Sequence, residues 1–300
     1  MTQLVRQDAA GEIAIQIVLD SLDSPHSRRA YERHLRQFLV WKGDGPINKA
    51  LVQRYAAQLR EGGASAASIN QKLSAIRKLA SEAADNGALE PQVANGILAI
   101  KGVRQEGTRT GNWLSKEQAM KLLAKPDTTT LKGLRDRALF AVLIGCGLRR
   151  AEAANLTIAH IQQREGRWVL VDLIGKRNKI RSVPMPNWAK VALDAYGIEA
   201  GLSSGFVFRP VNKGGRMTGA RITEAGIYSI VLEYAAALDF AIAPHDLRRS
   251  FAKLAHKGGS GLDQIQLSLG HSSIQTTERY LGVAQDLTDA PCDRLGLRID

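Results

Sequence analysis

Apolar residues recur along this chain at helical spacing far more often than in strand-like alternation, and they do so in two runs separated by a polar, glycine-rich stretch. Ser24 and Pro25 mark a helix start, and Tyr31, Leu35, Phe38 and Leu39 follow at i, i+4, i+7 and i+8. A second helix is expected over about 48–61, where Gly62 and Gly63 stop it. A third, over about 65–86, turns Ile69, Leu73, Ile76 and Ala80 inward, and a fourth short one starts at Pro91. Four helices and no strand pattern make an all-α N-terminal domain.

The second run opens with an amphipathic helix from Ser115 to Lys125 and continues with a helix over 131–143 that is apolar on most sides, hence buried. Gly145 and Gly147 then break the chain, and a new helix carries Arg149 and Glu152 at i and i+3. Residues 158–161, 167–174 and 180–184 read as strands, the middle one apolar enough to be buried on both faces, with GKRNK as the turn and Lys176 on its tip. Helices over 186–199 and 220–238 are scaffold. Pro244 begins a helix that puts His245 and Arg248 on one face, pointing away from Leu247, Phe251, Leu254 and Ala255. Gly258 and Gly259 end it. Ser260 with Asp263 reads as the cap of the next helix, which Gly270 ends to leave His271 at the break. Ser272 with Gln275 reads as a capping box opening a last helix that delivers Tyr280. The fold expected is mainly α with a small antiparallel β-sheet, an α+β domain following the all-α one.

Between Lys101 and Trp113 the composition shifts to KGVRQEGTRTGNW, a flexible and basic linker. Extended, it spans about 40 Å, enough to seat two domains on opposite sides of a duplex. We place the helical domain at 1–104, the linker at 105–113 and the second domain at 114–300. Net charge is +12, with 14 − 11 = +3 in residues 1–106 and 27 − 18 = +9 in 107–300, so the excess cations accompany the second domain. That balance points to a polyanion partner such as nucleic acid, DNA or RNA. Candidate phosphate contacts are Arg29, Arg33 and Arg36 on one stripe, Lys78 on the outer face of the third helix, Arg177, Lys179 and Arg181 around the hairpin, and Arg249. A solvated basic face is the alternative reading of the stripe. No apolar run is long enough to span a bilayer and no targeting segment is evident, so a cytoplasmic location is expected. Cys146 and Cys292 lack paired spacing, which suggests neither a disulfide framework nor a metal site; no cofactor is expected.

Taken singly, the candidate chemical groups are weak: His-x-x-Arg is commonly a solvated helix face, and a tyrosine near a helix end commonly packs. In order, however, they run Arg149 with Glu152, Lys176 on a hairpin, His245 and Arg248, Gly270-His271, and Tyr280 nine residues later. GLRRAE, GKRNKIRSVP, HDLRRSFA and LGHSSIQTTERYLGV together resemble the boxes of the tyrosine recombinase, or phage-integrase-like, family over residues 113–285, with the N-terminal domain similar in outline to its core-binding domain. The layout is similar to that of the Xer-type and Cre-type members, without an arm-binding module. Arg177 departs from the glycine frequent in the family, and Arg249 from its histidine.

The resemblance implies a site-specific recombinase that cleaves and rejoins DNA through a 3′-phosphotyrosyl intermediate, without ATP or metal. Tyr280 would be the nucleophile, His245 would accept its proton, Arg149 and Arg248 would grip the phosphate, and His271 would add a donor. Lys176 would protonate the leaving 5′-oxygen, and Glu152 would orient the shell. The implied partners are paired sites on duplex DNA and a homo- or hetero-tetramer, with no membrane. The alternatives are nicking and resealing of the type IB topoisomerase kind, or a non-catalytic DNA-binding relative.

Overall fold

The computed structural model of the chain describes residues 2–104, 112–175 and 179–282. Two compact units emerge, Met1–Gly107 and Thr108–Asp300. The linker expected at 105–113 lies largely outside the described residues.

In the first unit, polar caps fix where helices begin. Ser24, Asn48 and Ser65 each accept a backbone N–H three residues on, opening α2 (Pro25–Lys42), α3 (Lys49–Glu61) and α4 (Ala66–Asp85), and Pro91 starts α5 (Pro91–Leu98). A further helix, α1 (Thr2–Asp20), precedes them, so the described residues of this unit form five helices rather than the four expected. α4 is its centre. Leu73 and Ile76 pack with Phe38, Val52 and Ile97, while Ala75 and Leu79 pack with Leu35 and with Ile15 and Val18 of α1. Burying each such large side chain contributes about 1.5–3 kcal/mol, so both faces of α4 are committed to cores.

The second unit is built on α7 (Leu131–Gly145), in which every residue from Ala138 to Ile144 is at most 5% exposed, as its all-round apolar pattern requires. It packs against α9 (Asn187–Glu199) and α11 (Pro244–Lys257). α6 (Lys116–Ala124) begins at a capping box made by Ser115 and Gln118, and α8 (Arg150–Ala154) and α10 (Glu224–Ala237) complete this layer. Among the described residues three antiparallel strands run in the order β1 (Ile161–Arg164), β2 (Arg167–Ile174), β3 (Ile180–Pro184).

Two strand expectations change. Residues 158–160 form a 3₁₀ turn, which leaves β1 to start at Ile161. β2 is not buried on both faces: Leu170 and Leu173 face the core, whereas Asp172 is exposed and Ile174 is 65% exposed. An irregularity between Leu170 and Leu173, with Asp172 at φ 55°, breaks the alternation that an apolar composition alone could not reveal.

The C-terminal helices are α12 (Leu262–Leu269) and α13 (Ile274–Leu281), and a small core of Ala252, Ile265, Leu269 and Leu281 holds them to α11. Both caps sit one residue later than expected. Gly261 precedes α12 without a side-chain cap, and Ser273, not Ser272, caps α13 by accepting from the Gln275 N–H at 3.2 Å. Among the described residues no helix is long and apolar enough to cross a membrane. Cys146 is fully buried, and burial pushes its thiol up to about 12, so it is inert.

Candidate active site

The turn between α7 and α8 carries the first arginine. Gly147 adopts φ 59°, and a Cβ there would meet the Phe251 ring at 2.6 Å, so only glycine lets α11 lie this close to the turn. Arg149 follows as the residue capping α8, and the Glu152 carboxylate folds back to accept from the Arg149 backbone N–H and from its guanidinium, each at 2.7 Å.

Arg248 on α11 was expected to point away from the core, yet it is 1% exposed. The face of α11 opposite its apolar line is covered by α12 and by the α7–α8 turn, so the guanidinium is enclosed. It donates to the Gly147 carbonyl at 2.5 Å and to the Leu269 carbonyl at the end of α12. Arg149 donates to the same Leu269 carbonyl at 3.2 Å. Cations at a helix C-terminus are favoured by the exposed carbonyls and the helix dipole, and here α12 draws both arginines together.

Glu152 lies beneath them, 5% exposed. Burial alone would push its carboxyl up, but hydrogen bonds and charge from Arg181 and Arg149 hold it down at about 2, so it is an anion at neutral pH. Burial and the Arg149 charge lower Arg248 to about 9, against Glu152, which leaves it a cation.

α13 brings Tyr280 to the histidines. The Tyr280 ring stands edge-on to His245 and to His271, with centroids 5.5 and 5.3 Å apart, and the Arg249 guanidinium lies over it at 5.0 Å. His271 Nδ1 is 2.9 Å from the hydroxyl of Thr277, a fully buried residue on α13. Burial and then Arg248, Arg149 and Arg181 pull His271 down to about 4. His245 is lowered by loss of solvent on its packed side, then by Arg248 and Arg249, with Asp246 opposing. Both imidazoles are therefore neutral at neutral pH. Burial raises Tyr280 above its ordinary value while Arg248 and Arg249 oppose.

A cavity of about 330 Å³ opens beside these groups, lined by Arg149, His245 and Arg248 together with Arg150, Glu224 and Tyr228. Arg150 pairs with Glu224 at 3.2 Å and covers the Tyr228 ring. Four of the six expected catalytic residues thus meet with Arg149: His245, Arg248, His271 and Tyr280. Lys176 lies outside the described residues, as does Arg177.

The remaining expected DNA contacts divide. Arg29, Arg33 and Lys179 are exposed. Arg36 is exposed as well but meets Glu12 of α1 and Glu32, and Lys78 pairs with Glu82 at 2.5 Å, so each shares its charge with a neighbouring acid. Arg249 covers Tyr280. Arg181 turns inward: its two terminal nitrogens donate to Glu152 at 2.6 and 2.8 Å and its Nε to the Ser268 carbonyl at 2.9 Å. Strand parity could have revealed this, because Arg181 shares a strand face with buried Val183. Thr277 escaped notice because a threonine in a helix carries no signal of its own.

Residues 112–286 match the phage integrase family and residues 19–87 its N-terminal SAM-like domain. The tyrosine recombinase XerC of Pelobacter propionicus is 33% identical over 275 residues, spanning 88% of this chain and 86% of that protein. XerD of Pseudomonas aeruginosa is 30% identical, spanning 87% of each. In fold, the chain is similar to the XerH recombinase bound to its difH substrate (TM-score 0.65, 22% identity, 87% of this chain and 76% of that one). It is also similar to the Tn1549 transposon integrase in complex with circular intermediate DNA (TM-score 0.69, 14% identity, 94% and 98%). With a family match across more than half its length and full-span relatives of this identity, the chain belongs to the phage integrase family and is a site-specific tyrosine recombinase.

Proposed function

We propose that Tyr280 is the nucleophile of this recombinase and that the groups around it work on one phosphodiester of duplex DNA. The observation that carries this reading is the meeting of Arg149, Arg248, His245 and His271 around one tyrosine ring. The Tyr280 oxygen attacks phosphorus and its proton passes to His245, which the lowered pKa keeps free to accept one. Arg149 and Arg248 bind the non-bridging oxygens, where a planar guanidinium donates two bonds at fixed charge. His271 donates a further bond. The bond from phosphorus to the 5′-oxygen breaks, Lys176 supplies the proton that oxygen needs, and a 3′-phosphotyrosyl link remains. A 5′-hydroxyl from a partner duplex reverses the steps. The ester energy is conserved throughout, so the exchange draws on no nucleotide.

The same reading places four protomers on two paired sites in the cytoplasm, with exposed Arg29, Arg33, Lys179 and the Arg150 side of the cavity facing DNA. Incubation with a nicked suicide duplex tests the central claim. The wild type forms a covalent protein–DNA adduct and Tyr280→Phe does not; an adduct from that variant removes Tyr280 as nucleophile. Joining of two labelled duplexes, rather than relaxation of a supercoiled circle alone, separates recombination from topoisomerase action.

A further inference from the structure

Three stretches distant in sequence meet at one side chain. Arg181, near the start of β3 and five residues beyond Lys176, reaches the α8 acid and the last turn of α12 immediately before Gly270 and His271. Its side chain is 9% exposed and that of Glu152 is 2% exposed, so water cannot take over either partner's bonds. Gly270, at φ 61°, leaves room for it: a Cβ there would lie 2.8 Å from the Arg181 Cδ. The turn that presents His271 is thus folded over the Arg181 stem, and the carboxylate that braces Arg149 takes two of its four hydrogen bonds from the Arg181 head.

We propose that Arg181 is a positioning residue for DNA cleavage, resting on the function proposed above, rather than a DNA contact. Glu152 has two oxygens. Arg181 occupies both, while Arg149 spends one terminal nitrogen on Oε1. Without Arg181 the buried carboxylate keeps, among the described groups, only the backbone N–H and one guanidinium nitrogen of Arg149, since Arg248 stands 3.9 Å away. A buried anion short of donors draws in the nearest one. Arg149 then turns its whole fork onto Glu152 and away from the phosphate. Arg181 prevents that capture and, through Ser268, holds the end of α12 in register with the arginines.

Single-turnover cleavage of the suicide duplex and equilibrium binding of an uncleaved duplex, the latter in a Tyr280→Phe background, test the proposal together. Arg181→Met is expected to slow cleavage about 100-fold, the scale on which misplacing a catalytic group acts. Its DNA affinity and salt dependence stay within about twofold of the parent, since a lost phosphate contact would lower the salt slope by about one. Glu152→Gln added to Arg181→Met is expected to slow cleavage no further, because both changes act on Arg149 through the same carboxylate. Wild-type cleavage by Arg181→Met overturns the proposal, as does weaker binding with a reduced salt slope, or additive losses in the double variant. Should Arg181→Met fail to fold by thermal melting, Arg181→Lys carries the same comparisons, its single ammonium reaching one acceptor in place of three. Adduct formation by the wild type in the same series distinguishes a failure of this assignment from a failure of the proposed function.

Discussion

The hydroxyl of Tyr280 donates to the main-chain carbonyl of His245 at 3.3 Å, not to the imidazole of that residue. A proton held on a carbonyl cannot be lost to it, since an amide oxygen is a very weak base. The proposed attack therefore requires the hydroxyl to leave this bond and turn toward phosphate. The bond is long and replaceable, so Tyr280→Phe should cost no more than about 1 kcal/mol of stability while abolishing the adduct. Melting curves beside adduct gels check both halves, and a large loss of stability would mark the bond as structural.

The histidines set a pH dependence. His245 is depressed below 6.5 and His271 stands at about 4, so both are neutral above pH 6.5 and protonate only on acidification. A neutral base is the competent form. With DNA below saturation, where rates report the free protein, cleavage should hold from neutral pH to 6.5 and fall only below it. A limb centred above pH 6.5 would contradict the assigned base. The same depression means that folding stability is fully present above the unfolded value of 6.5 and is lost as pH falls through the folded values. The melting temperature should drop between pH 6.5 and 4, less steeply in His271→Gln.

Thr277 holds one nitrogen of His271, and in the proposed mechanism the other donates to phosphate. Thr277→Val keeps the shape and removes the hydroxyl, stranding a part-buried nitrogen at a cost of about 1–3 kcal/mol. Cleavage should fall roughly tenfold, as when a supporting partner of a functional histidine is lost. Thr277→Ser should retain the rate, and equal rates for Val and Ser would dismiss the hydroxyl.

On α2, Arg33 and Arg36 should behave differently. Arg33 is exposed, whereas Arg36 already answers Glu12 and Glu32. Binding titrations across salt concentrations should show Arg33→Ala reducing the salt slope by about one and Arg36→Ala changing it little. The reverse order would mean that DNA displaces both acids.

That difference shows where sequence reading reached its limit. The residues around Tyr280 were legible because each lies beside a chain break at a spacing that fixes its place: Gly147 before Arg149, Pro244 before His245, Gly270 before His271. What escaped depends on neighbours from elsewhere. The pairing of Arg36 is one such case: Glu12 comes from α1, whose first residues carry no cap signal. Arg248 looked solvent-facing because helical periodicity tells which side is polar, not what covers it. Arg181 reads as one more cation in a basic hairpin, although its place two residues before buried Val183 on β3 puts it on the inward face, where Glu152 meets it.

The single acid among three guanidiniums has a further consequence. Arg149, Arg181 and Arg248 carry three positive charges and Glu152 one negative, which leaves +2 among these described groups while both histidines stay neutral. A resting phosphodiester brings one negative charge, and the five-coordinate arrangement reached as the tyrosine oxygen adds brings two. The two charges left on the arginine cluster are thus matched by the phosphorus centre only midway through the proposed exchange, when the proton from Tyr280 rests on His245, and that is the point at which binding energy raises the rate.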